Sequence, residues 1–529
     1  MNTYNLRTIS RGHRVIGNSL ALILAQVATM VLGLMALPLI LPMIGPVGYG
    51  IWVIISGFSG YFSVFDMGLG GTFVAQLARR LEDHDGLRQI ITIGVLAYLT
   101  IGTLLLPVAW MVVSHLTRWF GVPHKLLPQV IPVFWLVYGA LFFNLISNSI
   151  GALISAYQWM RWQAALRIGS QVVNYTVVLV ALRGHQGLYA FAWGLWVSSG
   201  FVTTLSVWKV WPVLHGRLFY APGRIPRSLV RALLSYGGWL QINNVANQII
   251  YETDRILTGL YAGLLWVTMY QINYKLGNTV RRVPLSLMGA LLPAVSQVTD
   301  RDTLRQAYVS ASRYLALLSF LMSASLMVSL PLLMKAWMGR SYPHESLVFV
   351  LMVGAYTTSN LTGIGTTVLR GQLQPRLTSY YTAFTALLKL SISLALAPHY
   401  GLLGILVGSL IGSTFGTLYL FAHLFPRLNL GWGEGLWQWL PRLALASIPV
   451  AWAGYQWARG AASTEGRFTS GLLAAGTLIA TPLLIVIFLR LVGFFTPRDW
   501  IRIAPSLPIG IRAPLAFLMG APKRDATHS

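Results

Sequence analysis

Gln241, Asn244, Gln248, Glu252 and Arg255 follow one another at spacings of 3, 4, 4 and 3, which puts them on one face of a helix. Asn243, Asn247 and Asp254 run beside that face. The device recurs at Gln271, Lys275, Asn278 and Arg282, with Arg281 adjacent, and again at Thr378, Thr382, Thr385, Lys389 and Ser393. Carboxamides, hydroxyls and cations in this pattern hold oxygen-rich anions, and the planar fork of arginine suits phosphate. Glu252 and Asp254, with Asp66 upstream, are carboxylates that leave coupling to a proton or a sodium ion open. Arg255, Lys275, Arg281, Arg282, Lys389 and Arg442 against Asp66, Glu252 and Asp254 leave a surplus of three positive charges. The expected ligand is therefore an anionic amphiphile. Arg442, next to Pro441, reads as a packing or headgroup residue. The expected binding residues are Asn244, Gln248, Arg255, Gln271, Lys275, Asn278, Arg281, Arg282 and Lys389, and no metal or cofactor is expected.

The elements that must carry these stripes are membrane spans. Of 529 residues 55% are hydrophobic and only 10% are charged, too little charge to cover a soluble protein of this length. A bilayer core of about 30 Å needs roughly 20 apolar residues per helix, and about fourteen such runs lie between 15–42 and 468–495. They are continuous rather than alternating, which excludes a membrane β-barrel. The stripes thus lie inside hydrocarbon, where a central charge costs about 2.5–3.5 kcal/mol unless it faces water or a partner. Three such stripes predict a shared aqueous cavity.

With the connections numbered alternately, the amino terminus, the even loops and the tail hold about 25 of the 38 Lys and Arg, so both ends are expected on the cytoplasmic side. Most of the net charge of +25 is thereby topology signal, and nucleic acid is not needed to explain it. The basic amino-terminal flank precedes an apolar run too long for a cleaved leader, so it is expected to remain as the first helix. The absence of cysteine excludes disulfides and thiolate chemistry. Glu82, Asp83, His84 and Asp85 read as a solvated loop rather than a metal site, and the segment before them, from Met67, reads as an amphipathic interfacial helix. Short external loops, with no phosphate-binding Gly-Lys-Ser/Thr loop and no His-Glu-x-x-His, argue against a membrane polymerase or glycosyltransferase.

The chain also repeats itself. A shift of 214 residues lays "IGALISAYQWMR" from Ile150 over "IGTTVLRGQLQP" from Ile364, and "HQGLYAFAWGLW" from His185 over "HYGLLGILVGSL" from His399. The shift spans six helices, so the copies run in the same direction and are related by an axis along the membrane normal. The expected architecture is all-α: a lobe of six helices over 1–212, a basic linker over 213–234, a second six-helix lobe over 235–424, and two accessory helices with a tail over 425–529.

The stretch "IGPVGYGIWVIISGFSGYFSVFDMGLGGTFVAQLARR" from Ile44 resembles the second-helix signature of polysaccharide and O-antigen flippases, and "TDRILTGLYAGLLWVTMYQINYKL" from Thr253 is similar to their seventh and eighth helices. That family belongs to the multidrug/oligosaccharidyl-lipid/polysaccharide exporter superfamily. The resemblance implies a V-shaped pair of bundles that opens alternately to the two sides of a bacterial inner membrane. It implies an undecaprenyl-pyrophosphate-linked oligosaccharide as cargo for surface polysaccharide synthesis, and a polymerase and chain-length regulator as partners. By position, Asp66 and Gly68 are its second-helix turn residues, and Asp254 with Arg255 its charged pair on the seventh helix. A lipid II flippase is the nearest alternative. A multidrug exporter fits less well, because a cavity for cationic drugs should be acidic or aromatic.

Overall fold

The computed structural model describes residues 3–64, 69–217, 227–297, 300–339, 345–371 and 375–495. They form fifteen α-helices: α1 (Thr3–Val64), α2 (Leu69–Ala78), α3 (His84–Ser114), α4 (Leu116–Phe120), α5 (Leu127–Ala156), α6 (Met160–Arg183), α7 (Tyr189–Val210), α8 (Arg227–Tyr261), α9 (Leu264–Gln297), α10 (Arg301–Met338), α11 (Glu345–Asn360), α12 (Gly363–Gly371), α13 (Pro375–Leu424), α14 (Leu440–Thr464) and α15 (Arg467–Leu491). Among the described residues, nine helical segments are long and apolar enough to cross a membrane.

Two of the long helices are broken where the sequence places breaks. In α1 Gly45 takes φ 75° and ψ 163° between Pro42 and Pro46, a backbone conformation that a side chain resists. In α13 Gly401 takes φ 54° and ψ −130° just after Pro398. Divided at these points, and with α11 and α12 as halves of one span, the chain carries about fourteen membrane-length segments, as its apolar runs predict. The single span expected over 346–370 is instead interrupted at Leu361 and Thr362. The backbone there tightens to bonds three residues back, Leu361 N–H to the Thr358 carbonyl and Thr362 N–H to the Ser359 carbonyl, each at 3.2 Å, while Asn360 Nδ2 donates to the Val280 carbonyl at 2.8 Å and Thr362 Oγ1 to the Ser359 carbonyl at 2.7 Å.

Large apolar side chains point outward all along the helices, among them Leu104 at 71% exposure, Trp452 at 66% and Phe468 at 80%. Water would not tolerate so continuous an apolar surface; lipid requires it.

Two compact units are present: residues 1–275 with 382–412, and residues 276–381 with 413–529. In the first, a core of Phe73, Leu77, Leu87, Ile90, Tyr98 and Leu153 joins α2, α3 and α5. The apolar face of α2 is therefore covered by protein, where an interfacial helix would leave it to lipid. The acidic loop that follows is structural: Asp83 Oδ1 accepts from the Gly86 N–H at 2.9 Å and caps α3, and Asp85 pairs with Arg88 at 2.7 Å. No group able to hold a metal ion occurs among the described residues.

In the second unit α10 is the hub, with α14 and α15 packed on it. Ser329 shares a hydrogen bond with Thr477 at 2.8 Å, Lys335 Nζ donates to the Ala462 carbonyl at 2.6 Å, and Leu315, Leu443 and Ile485 meet in the core. Arg442 donates to the Gly493 carbonyl at 2.9 Å and so ties α14 to the end of α15. This is the packing role expected of it.

Candidate functional site

Most of the predicted polar residues fall in the first unit, where α8 divides its charges between two directions. Glu252 and Arg255, one turn apart, form an ion pair, and Tyr274 Oη donates to Glu252 Oε1 at 3.4 Å. The guanidinium fits a notch in α1. A Cβ on Gly57 would lie 3.1 Å from Arg255 Nε, and one on Gly60 would lie 2.9 Å from Gln248 Nε2 and 3.2 Å from Arg255 Nη2. The two glycines, three residues apart, make the room that the polar stripe occupies. Beside them Tyr61 hydrogen-bonds Thr253.

Asp254 points elsewhere. Its Oδ1 lies 2.9 Å from Lys389 Nζ of α13, Ser409 Oγ donates to its two oxygens at 3.2 and 3.1 Å, and the ammonium also donates to the Ile250 carbonyl. A pairing of Asp254 with Arg255, as the resemblance implies, does not form. Adjacent residues on a helix project about 100° apart and cannot share a partner on one side. The helices meet closely here because Gly404, Gly408 and Gly412 are spaced by four along the second half of α13. A Cβ on Gly412 would lie 2.7 Å from Lys389 Cβ and 2.8 Å from its Cα.

The third predicted cation, Lys275 on α9, lines a cavity of about 430 Å³ between α1, α5, α6, α7 and α9. Its Nζ donates to the Gly33 carbonyl at 2.8 Å and has no carboxylate at bonding distance among the described residues. Around it stand Gln171, Asn174, Tyr175 and Gln271, with Asn144 bonded to Ser199 at 2.7 Å and Trp52 stacked on Phe191. Among the described residues no Asp or Glu lines this cavity. The Oε1 of Gln271 is buried without a hydrogen-bond partner, an acceptor held ready for a donor. The wall can hold hydroxyls through carboxamides, stack a sugar face on aromatic rings, and place one ammonium on an anion.

The remaining predicted residues lie elsewhere. Asn244 is on α8 and exposed. Asn278 and Arg281 belong to the second unit, where Arg281 Nε donates to Asn278 Oδ1 at 2.9 Å and the guanidinium lies 6.0 Å from the Tyr356 ring. Arg282, in the same unit, is exposed. Asp66 and Gly68 lie outside the described residues. The sequence reading overlooked Asn144, Gln171, Asn174, Tyr175 and Ser409. Gln171 and Asn174, three apart with Ser170 alongside in an apolar run, were a signal of the kind used for α8. Ser409 gave none.

The fold is one shared with solved membrane transporters of the MOP superfamily. The structure is similar to "Lipid II flippase MurJ, inward closed conformation", with a TM-score of 0.66 and 13% identity, covering 92% of this chain and 100% of that one. It is also similar to the inward-facing conformation of a multidrug resistance MATE family transporter of that superfamily, with a TM-score of 0.62 and 14% identity, covering 76% and 94%. In sequence, the chain is 20% identical over 387 residues to the "Putative O-antigen transporter" of Shigella flexneri, covering 68% of this chain and 86% of that protein. Residues 15–299 match the family described as "Polysaccharide biosynthesis protein", and the chain belongs to that family. It is a multi-pass membrane protein, a transporter and not an enzyme.

Proposed function

We propose that this protein moves an undecaprenyl-pyrophosphate-linked oligosaccharide from the cytoplasmic to the periplasmic leaflet of a bacterial inner membrane, by alternating access of two six-helix lobes, for surface polysaccharide synthesis. Both termini are cytoplasmic in this reading, and a polymerase and chain-length regulator take the product. An ionised headgroup entering hydrocarbon unaided faces a desolvation cost on the order of tens of kcal/mol. A cavity of carboxamides, hydroxyls and an ammonium replaces the lost water, while the prenyl tail stays in lipid.

The observation that carries the reading is Lys275, a cation without a carboxylate partner among the described residues, in the wall of a cavity that no acidic residue lines. Such a wall repels cationic drugs and receives an anionic saccharide. Lys275→Met is expected to reduce surface polysaccharide at least tenfold at unchanged protein level in the membrane, with Lys275→Arg retaining much of it. Full export by Lys275→Met would refute the assignment. A lipid II flippase is the second reading, supported by fold similarity along 92% of the chain. Rescue of cells depleted of their lipid II flippase would favour it over the polysaccharide cargo.

A further inference from the structure

A carboxylate as enclosed as Asp254 must be matched by a cation or give up its charge. The match comes from the chain itself. Asp254 and Lys389 are 5% and 3% exposed, and the ammonium lies between Asp254 Oδ1, at 2.9 Å, and the Ile250 carbonyl one turn earlier on α8. Ser409 Oγ closes the carboxylate from the far side. Carboxylate and carbonyl oxygens are ligands of a hard metal cation, and here both meet a lysine. The backbone that carries Lys389 is firmly placed, because it lies against Gly412, where even a methyl group would come within 2.8 Å of its Cα. The other carboxylate of the α8 stripe, Glu252, is likewise matched by Arg255.

We infer that Lys389 is a tethered counter-ion holding the place of a mobile cation, so that Asp254 does not exchange sodium. This replaces the ion-exchange role left open for Asp254 by the sequence. Removing the tether should create the site that it fills. In Lys389→Met, a side chain of similar length without charge leaves the Asp254 carboxylate and the Ile250 carbonyl facing a gap that carries one negative charge.

The test uses the purified full chain in detergent and no cargo, so its outcome is separate from that of the flippase reading. Thermal unfolding is followed in sodium chloride, potassium chloride and choline chloride at equal ionic strength. The native protein should unfold at the same temperature in all three. Lys389→Met should gain a saturable sodium-specific rise of about 1–2 °C at about tenfold excess over Kd. The double variant Asp254→Asn with Lys389→Met should lose that rise. A folded Lys389→Met without a sodium response overturns the inference. So does a sodium response of the native protein that the double variant lacks. If Lys389→Met does not fold, this last comparison decides, and indifference of both proteins to sodium sustains the inference.

Discussion

At the scale of single residues, neighbours in the sequence have opposite fates. Asp254 and Arg255 are adjacent, yet one is matched by Lys389 across 135 positions and the other by Glu252 within its own helix. Breaking the long-range pair on one side strands a buried ammonium. Asp254→Asn should therefore cost about 3–5 kcal/mol, read as a fall in unfolding temperature and in monodisperse yield from detergent. Asp254→Leu combined with Lys389→Met should recover most of the loss, because removing both charges also removes the need to solvate them. Spacing made the polar faces legible: Gln248, Glu252, Arg255, Gln271 and Lys275 were all readable as helix stripes. Partnership was not legible, since which cation meets which carboxylate depends on how helices distant in sequence are brought together. Lys389 was for that reason grouped with the anion-binding cations, although its charge is already taken up.

Among the elements, breaks were readable where backbone chemistry forces them and unreadable elsewhere. Gly45 between two prolines and Gly401 after Pro398 announce themselves, and both take positive φ. The interruption after Asn360, where Asn360 and Thr362 bond backbone carbonyls, leaves no mark in the apolar pattern. Glycine spacing matters just as much for contact. The Gly404, Gly408 and Gly412 series brings the two halves of α13 together, and a Cβ on Gly408 would lie 2.4 Å from Ser393 Oγ and 2.7 Å from its backbone N. Gly408→Ala should cost about 1–3 kcal/mol by overpacking, measured as a lower unfolding temperature. Gly476→Ala on α15, with open space around it, should leave that temperature unchanged or slightly higher, because alanine favours helix over glycine.

For the molecule as a whole, carboxylates matched on α8 leave the membrane potential as the source of direction in the proposed reading. An inside-negative potential favours outward movement of an anion by about 2.3 kcal/mol per charge per 100 mV, if the charge crosses the whole field. In vesicles oriented as in the cell, collapsing the sodium gradient should leave flux of the lipid-linked substrate intact, whereas collapsing the potential with valinomycin and balanced potassium should slow it severalfold. Flux that follows the sodium gradient instead would return an ion-exchange role to the carboxylates. Helix number, the all-α class and the transporter family were open to the sequence because length, hydropathy and the Ile44–Arg80 and Thr253–Leu276 stretches carry them locally. The 430 Å³ hollow was not, because its lining is drawn from five helices.

The bond from Lys275 to the Gly33 carbonyl has a consequence for the resting protein. An ammonium already satisfied by an internal acceptor gives a lone chloride little incentive to dislodge it, since one weak contact would merely be traded for another. A multivalent phosphoryl group bearing hydroxyl-rich sugars makes several contacts at once and can displace the carbonyl. In the proposed reading, this internal bond sets a threshold that a single salt anion does not pass and a multidentate headgroup does.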